Sequence, residues 1–272
     1  MSRIARRFAA LRAERRGALI PYVEACDPDF ATSLALLKAM PDAGADLIEI
    51  GMPFSDPSAD GPVIQLAAQR GLAAGATLDR LLEMVRAFRE DDSETPLIVM
   101  GYLNPIESYG YERFCQVAAE AGVDGLIVVD MPPEESAALE KFMEPAGLDM
   151  IRLVAPTTTD ERLKLVLGHA SGFVYYVSIT GITGTRSASA ADLEAALPRL
   201  RAATDLPIVI GFGIRTPEQA AQAAGIADGA VVASALLATL SETLDQDLAP
   251  TKETLPRVLA QLEELSKAVR RR

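Results

Sequence analysis

Ala43-Gly44-Ala45-Asp46-Leu47-Ile48-Glu49-Ile50-Gly51 decides the fold. A glycine ends a helical pattern, a short turn carries an aspartate, and an apolar run rich in branched residues follows. The phrase returns at Ala121-Gly122-Val123-Asp124 and at Ala224-Gly225-Ile226-Ala227-Asp228. Working outward, eight apolar runs read as strands: Leu19 to Glu24, Leu47 to Gly51, Leu97 to Tyr102, Gly125 to Asp130, Met150 to Ala155, Phe173 to Ser178, Ile208 to Gly211 and Gly229 to Ala233. Stretches with helical spacing lie between them, such as Phe30 to Ala43 and Ala190 to Ala203. Near-continuous apolar strands are buried on both faces, as in a parallel sheet covered by helices. Eightfold recurrence of that unit predicts an α/β fold, a (β/α)8 TIM barrel. An open doubly wound sheet would place a Gly-rich phosphate turn after its first strand. Here the first strand runs into Glu24-Ala25-Cys26-Asp27-Pro28 instead, and the barrel is the better reading.

The chain has 272 residues, 49% of them hydrophobic, enough for one barrel domain over residues 1–272. An extra amphipathic helix is expected within Met1 to Arg16. Two insertions stand out. After the second strand come two helices, about Pro62 to Ala74 and Leu78 to Arg89. After the eighth, a polar stretch at Gln246 to Lys252 precedes a last amphipathic helix. A formal net charge of -12 argues against nucleic acid or an anionic membrane surface as partner. Cys26 and Cys115 are the only cysteines, in no metal-ligand spacing, so neither a disulfide framework nor a metal site is expected. No apolar run is long enough to span a bilayer, and a cytoplasmic protein is the expectation.

In a barrel of this kind the reacting groups sit at the C-terminal ends of strands and in the loops that follow. That rule selects Glu49, Asp60, Tyr102, Asn104, Asp130, Tyr175 and Thr183. Glu49 lies inside an apolar strand, where a carboxylate is expensive to bury unless paired or used. Asp60 lies on a proline-braced loop and is expected to stay ionised. Unlike settings of this sort divide acid work from base work. The plainer readings are a Glu49 ion-paired within the barrel and an Asp60 that caps the helix starting at Pro62. Gly211-Phe212-Gly213 after strand seven, and Ser234 at the helix after strand eight, stand where barrels hold a phosphate on backbone N–H groups. Val177 to Ser187, with Gly181 and Gly184 among small hydroxyl residues, reads as a loop that could close over a substrate.

The run Leu47 to Gln65, which from Ile48 onward reads IEIGMPFSDPSADGPVIQ, closely resembles the signature of the tryptophan synthase alpha chain family, roughly IEIGxPFSDPxADGPxIQ. Further likeness comes in order from Gly101-Tyr102-Leu103-Asn104-Pro105-Ile106, from Gly125 to Glu135, from Phe173 to Ser178 and from the TGxTG-like loop at Thr180 to Gly184. The resemblance implies reversible retro-aldol cleavage of indole-3-glycerol phosphate into indole and glyceraldehyde 3-phosphate, with no cofactor. It implies that Glu49 moves the proton, that Asp60 faces the indole N–H, and that Thr183 meets Asp60 on closure. Gly184, Gly213 and Ser234 would contact the phosphate. Tyr22, Tyr102, Ile127 and Tyr175 would line the substrate site, with Leu103, Leu126 and Ile151 as further candidates for an apolar indole slot.

The resemblance also implies a pyridoxal-phosphate beta subunit as partner in an alpha2-beta2 complex, touching Asp56, Pro57, Asn104 and Pro132. Three positions depart from the family pattern: Tyr22, often phenylalanine; Ser58, usually apolar; and Ala233, often glycine. The alternatives are a free-standing indole-releasing lyase, a phosphosugar isomerase or aldolase, and a silent subunit that only activates its partner. A Schiff-base aldolase would need a lysine at a strand end, and none of the eight strands contains one. His169, the single histidine, is expected at a helix end on the surface.

Overall fold

The computed structural model describes residues 1–177, 190–211 and 213–271. Its strands are β1 (Ala18–Glu24), β2 (Ile48–Gly51), β3 (Leu97–Gly101), β4 (Gly125–Val128), β5 (Asp149–Met150), β6 (Arg152–Val154), β7 (Val174–Val177), β8 (Ile208–Gly211) and β9 (Gly229–Val232). All pairings among them are parallel, in the order β5-β4-β3-β2-β1-β9-β8-β7-β6. The two ends of that order, β5 and β6, are halves of one strand interrupted at Ile151. The first half pairs with β4 and the second with β7, which brings the ring round on itself. Eight strand positions therefore make a (β/α)8 barrel, as the recurring unit predicts.

The helices are α1 (Arg3–Ala13), α2 (Phe30–Ala39), α3 (Pro62–Ala73), α4 (Leu78–Arg89), α5 (Leu103–Tyr109), α6 (Tyr111–Ala121), α7 (Ala137–Ala146), α8 (Asp160–Gly168), α9 (Ala190–Ala203), α10 (Pro217–Ile226), α11 (Ser234–Glu242) and α12 (Thr254–Arg270). The extra N-terminal helix and both insertions are present: α3 and α4 follow β2, and the stretch after α11 leads into α12 through a Leu244–Pro250 bridge. Among the described residues no helix is long and apolar enough to cross a membrane.

Alternation along the strands divides the core in two. One set of side chains, including Ile48, Ile50, Val99, Leu126 and Val128, packs outward against the helices. The other set, including Ile20, Leu47, Ile98, Ile127, Ile151, Phe173, Tyr175, Val209 and Val231, fills the barrel interior. Ile4, Phe8 and Leu11 of α1 join the interior set from below, with the Phe8 and Phe173 rings 5.8 Å apart. Each such apolar side chain contributes about 2 kcal/mol by leaving water, so α1 is a stopper for the barrel floor.

The recurring aspartate of the turn phrase has a specific task. Asp46 Oδ2 accepts from Leu19 N (2.9 Å), Asp124 Oδ2 from Leu97 N (2.8 Å) and Asp228 Oδ2 from Ile208 N (2.7 Å). The backbone N–H of each aspartate donates in turn to the carbonyl of that same residue, at 2.9, 2.9 and 2.8 Å. Each turn thus clamps the start of one strand to the start of its neighbour. Arginines complete the clamps: Arg16 is bidentate on Asp46, Arg3 and Arg89 flank Asp124, and Arg201 meets Asp228. Part of the arginine-rich N-terminal face is therefore engaged in floor contacts rather than simply solvated.

Candidate active site

At the opposite end of the strands two adjoining cavities open, of about 510 and 270 Å³ including their mouths. Tyr22, Glu49, Ile64, Tyr175, Gly213, Arg215 and Ser234 are among the residues lining the larger; Glu24, Phe54, Pro57, Asp60, Gly101 and Tyr102 are among those lining the smaller. Tyr22 and Met100 line both. The inward parity of β1 explains the placement. Ile20, Tyr22 and Glu24 share one face, and Tyr22 is the register partner of Glu49 on β2.

Glu49 is 1% exposed, and its Oε1 has no hydrogen-bond partner. Burial alone pushes its carboxyl up to about 8 from the ordinary 4.5. The reading of Glu49 as one half of an ion pair is thereby overturned: no salt bridge to it is present among the described residues. A neutral, desolvated carboxylic acid facing a cavity is poised to give a proton near neutral pH.

Asp60 is only 9% exposed, more enclosed than its polar neighbours in sequence suggest. The Tyr102 hydroxyl donates to Asp60 Oδ2 at 2.9 Å and accepts from Ala59 N at 3.0 Å, which pins the loop. Burial raises the Asp60 carboxyl and the tyrosine bond opposes the rise, so Asp60 is pulled both ways. The expected contrast, a freely ionised Asp60 beside a raised Glu49, is thus narrower than its loop setting suggests. Asp60 does not cap α3 with its side chain; Gly61 is the N-cap and Pro62 opens the helix. The last turn of α3 is tied to the loop after β1 by a bidentate ion pair between Arg70 and Asp27 (2.6 and 2.8 Å).

Two glycines leave room for phenol groups. A methyl group on Gly211 would lie 2.0 Å from the Tyr175 hydroxyl oxygen, and one on Gly51 at 2.0 Å from that of Tyr22. At the other end of the larger cavity, Gly213 has φ +77° and α11 begins at Ser234. Ala233 before it has a negative φ of −114°, which alanine can adopt, and the start of α11 at Ala233 and Ser234 lines the cavity.

Of the residues singled out from sequence, Glu49, Tyr22, Tyr175, Gly213 and Ser234 meet in the larger cavity, and Asp60, Tyr102 and Pro57 in the smaller. Ile127 faces the interior beside Met100 but belongs to the inner core with Ile98 and Ile151 rather than to either lining. Leu126 and Leu103 pack with the outer, helix-facing core, so neither walls an indole slot. Asp56 and Pro132 are exposed on the loops that follow β2 and β4, and Asn104 is exposed in the first turn of α5, after β3. Asp130 accepts from Leu103 N (2.8 Å) and holds the start of α5. Thr183 and Gly184 lie outside the described residues. His169 caps α8, as expected of a helix end, and its Nδ1 contacts Glu140 Oε2 at 2.8 Å.

Sequence reasoning missed Glu24, Met100, Ile64 and Arg215. Glu24 was open to the argument used for Glu49, an acid inside an apolar strand, and Met100 is two residues before Tyr102 on the same face. Ile64 and Arg215 carry no comparable signal.

Fold and site define a (β/α)8-barrel protein with buried carboxyl groups at the C-terminal mouth of its sheet. The family profile described as tryptophan synthase alpha chain matches residues 8–270. The alpha chain of Gluconacetobacter diazotrophicus is 72% identical over 270 residues, spanning 99% of this chain and 98% of that one. Among solved structures, the alpha subunit of Legionella pneumophila strain Paris superposes with a TM-score of 0.90 at 42% identity, covering 99% of this chain and 98% of that one. Tryptophan synthase of Mycobacterium tuberculosis does so with a TM-score of 0.90 at 38% identity, covering 100% and 99%. The chain belongs to the tryptophan synthase alpha chain family, a family of carbon–carbon lyases.

Proposed function

We propose that the chain cleaves indole-3-glycerol phosphate reversibly into indole and glyceraldehyde 3-phosphate, in the last steps of L-tryptophan biosynthesis. The observation that carries the site assignment is Glu49, a buried carboxyl with an unpartnered oxygen facing the larger cavity. Breaking the carbon–carbon bond needs a proton delivered to indole C3, a proton removed from the C3′ hydroxyl, and stabilisation of positive charge spreading to the indole N–H. In its acid form Glu49 delivers the first proton, and the resulting carboxylate can accept the second. Asp60, oriented by Tyr102, faces the indole N–H and stabilises the developing charge. Tyr22 and Tyr175 form the walls between which the ring lies, with Ile127 beneath, and Thr183 meets Asp60 when the site closes.

The phosphate sits on backbone donors at Gly184, Gly213 and the start of α11 at Ser234. Arg215, an exposed guanidinium lining the same cavity, adds a cation at that end. Arg215→Ala should therefore raise KM roughly three- to tenfold, an effect that shrinks at high salt, with kcat little changed. Steady-state kinetics at two ionic strengths checks this; a fall in kcat alone would place Arg215 elsewhere in the mechanism.

The chain is read as one cytoplasmic barrel domain that works with a pyridoxal-phosphate beta subunit in an alpha2-beta2 complex. Asp56, Pro57 and Pro132, on loops at the rim, and Asn104, in the first turn of α5, are assigned to that contact. The deciding experiment measures glyceraldehyde 3-phosphate release with and without a beta subunit. Slow cleavage that rises sharply with the partner supports the assignment. Fast cleavage by the chain alone identifies a free-standing lyase, and no cleavage in either case overturns the reading.

A further inference from the structure

Glu24 is a buried carboxyl for which the proton transfers above have no use. It ends β1, is 2% exposed, and shares the inward face with Tyr22. The Tyr22 hydroxyl donates to Glu24 Oε2 at 2.6 Å, at the short end of the O–H···O range. Both atoms are lodged against Gly51 of the neighbouring strand, where a methyl group would lie 2.0 Å from the tyrosine oxygen and 2.4 Å from Glu24 Oε2. The ring so held stands between the two cavities, lining each, and is the register partner of Glu49.

We propose that Glu24 is a positioning residue: by holding the Tyr22 hydroxyl it keeps the tyrosine ring as the partition between the cavities, and so keeps water from the Glu49 carboxyl. A tyrosine released from that bond gains freedom to turn, and turning it away would join the two cavities that it now lines. Glu49 is unusually sensitive to such a change, because burial is the sole cause of its raised titration. The ionisable groups around it are Tyr22 from β1, Tyr175 from β7 and the exposed Arg215 after β8. Those around Glu24 are Tyr22, Asp60, Asp27 and Arg70. Burial drives the Glu24 carboxyl well above the usual range, against the pull of the Tyr22 hydroxyl, so Glu24 acts by its grip on Tyr22 rather than by bringing a charge to Glu49.

The effect on turnover rests on the reading of Glu49 as the proton-transfer group; the exclusion of water does not. Two readouts separate them. Infrared titration of the protonated-carboxyl band that Glu49→Gln removes reports Glu49 directly, and the pH profile of kcat/KM for cleavage reports the reaction. In the native chain the band should disappear around pH 8. Glu24→Gln, which still accepts from the Tyr22 hydroxyl, should leave that midpoint in place. Glu24→Leu should lower it by on the order of one pH unit as water enters, and the alkaline fall in kcat/KM should move with it. An unchanged midpoint in Glu24→Leu, or an equal fall in Glu24→Gln, overturns the proposal. A lowered midpoint with an unmoved rate profile supports the partition and instead sinks the assignment of Glu49 to proton transfer. If Glu24→Leu does not fold, Tyr22→Phe decides, since it keeps the ring and removes the grip. Its midpoint should fall as well, and an unmoved one overturns the proposal.

Discussion

Glu49→Gln should lower kcat for indole-3-glycerol phosphate cleavage about a thousandfold while leaving KM close to its native value. Glutamine matches the shape of the acid form that the buried site favours, so the binding surfaces of Tyr22, Tyr175 and Ile64 stay in place. What is lost is the proton. In the native chain kcat/KM for cleavage should be level below about pH 8 and fall above it, as the acid form of Glu49 is consumed. A Glu49→Gln protein that kept most of its activity would refute the proton-transfer role.

The same substitution has a second, opposite consequence for stability. The unfolded carboxyl ionises from its ordinary value of 4.5, whereas the folded one holds its proton to about 8. Across that window the unfolded state binds fewer protons, so the native chain loses stability as pH rises and levels off only above about 8. Glutamine has no such titration. Glu49→Gln should therefore gain on the native chain between pH 5 and pH 9, by up to a few kcal/mol. Urea unfolding at the two pH values checks this, and an advantage that did not grow with pH would mean that Glu49 is ionised in the folded chain.

The largest expected loss of stability lies at the other end of the barrel. Asp124→Ala removes the acceptor of Leu97 N and leaves Arg89, only 11% exposed at its side chain, and Arg3 without their carboxylate. Removing one partner of a buried ionic cluster costs about 3–5 kcal/mol, most of it the penalty of the abandoned charge. Thermal unfolding should fall on the order of 10 °C. The Asp124→Ala and Arg89→Met double variant should recover part of the loss, because the stranded guanidinium goes with the carboxylate. A thermal shift of a degree or two for Asp124→Ala would show that the clamp contributes little.

The eight strands were readable because each is a short branched run set between helical patterns, and the observed bounds differ from the reading by a residue or two at most strand ends. The phase of the strands was harder to read. In Gly125-Leu126-Ile127-Val128 every residue is apolar, so nothing in the run says that Ile127 faces the barrel while Leu126 and Val128 face helices. The turn aspartates announced themselves by recurrence, yet their task did not, since each reaches a backbone N–H 20 or 27 residues back in the chain. Asp60 reads as a solvated loop residue because the side chain that encloses it, Tyr102, is 42 positions away. Glu49 was legible from its strand alone, since an unpaired acid in an apolar run is its own signal. Glu24 gave that signal too, partly hidden by the run of Ala25, Cys26 and Asp27 that follows it.

Each strand of the ring carries two kinds of information at its two ends. The clamps of Asp46, Asp124 and Asp228 sit at the N-terminal ends, and the groups that meet the cavities sit at the C-terminal ends. Height along the barrel axis is then a coordinate on which heritable change can be sorted: a replacement low on a strand is felt as abundance of folded chain, one high on the same strand as altered chemistry in chains that still fold. The interval between, filled by Ile20, Ile98, Ile127 and Val209, insulates the two. Lineages can therefore explore new substrates at the rim while the floor continues to guarantee the vessel.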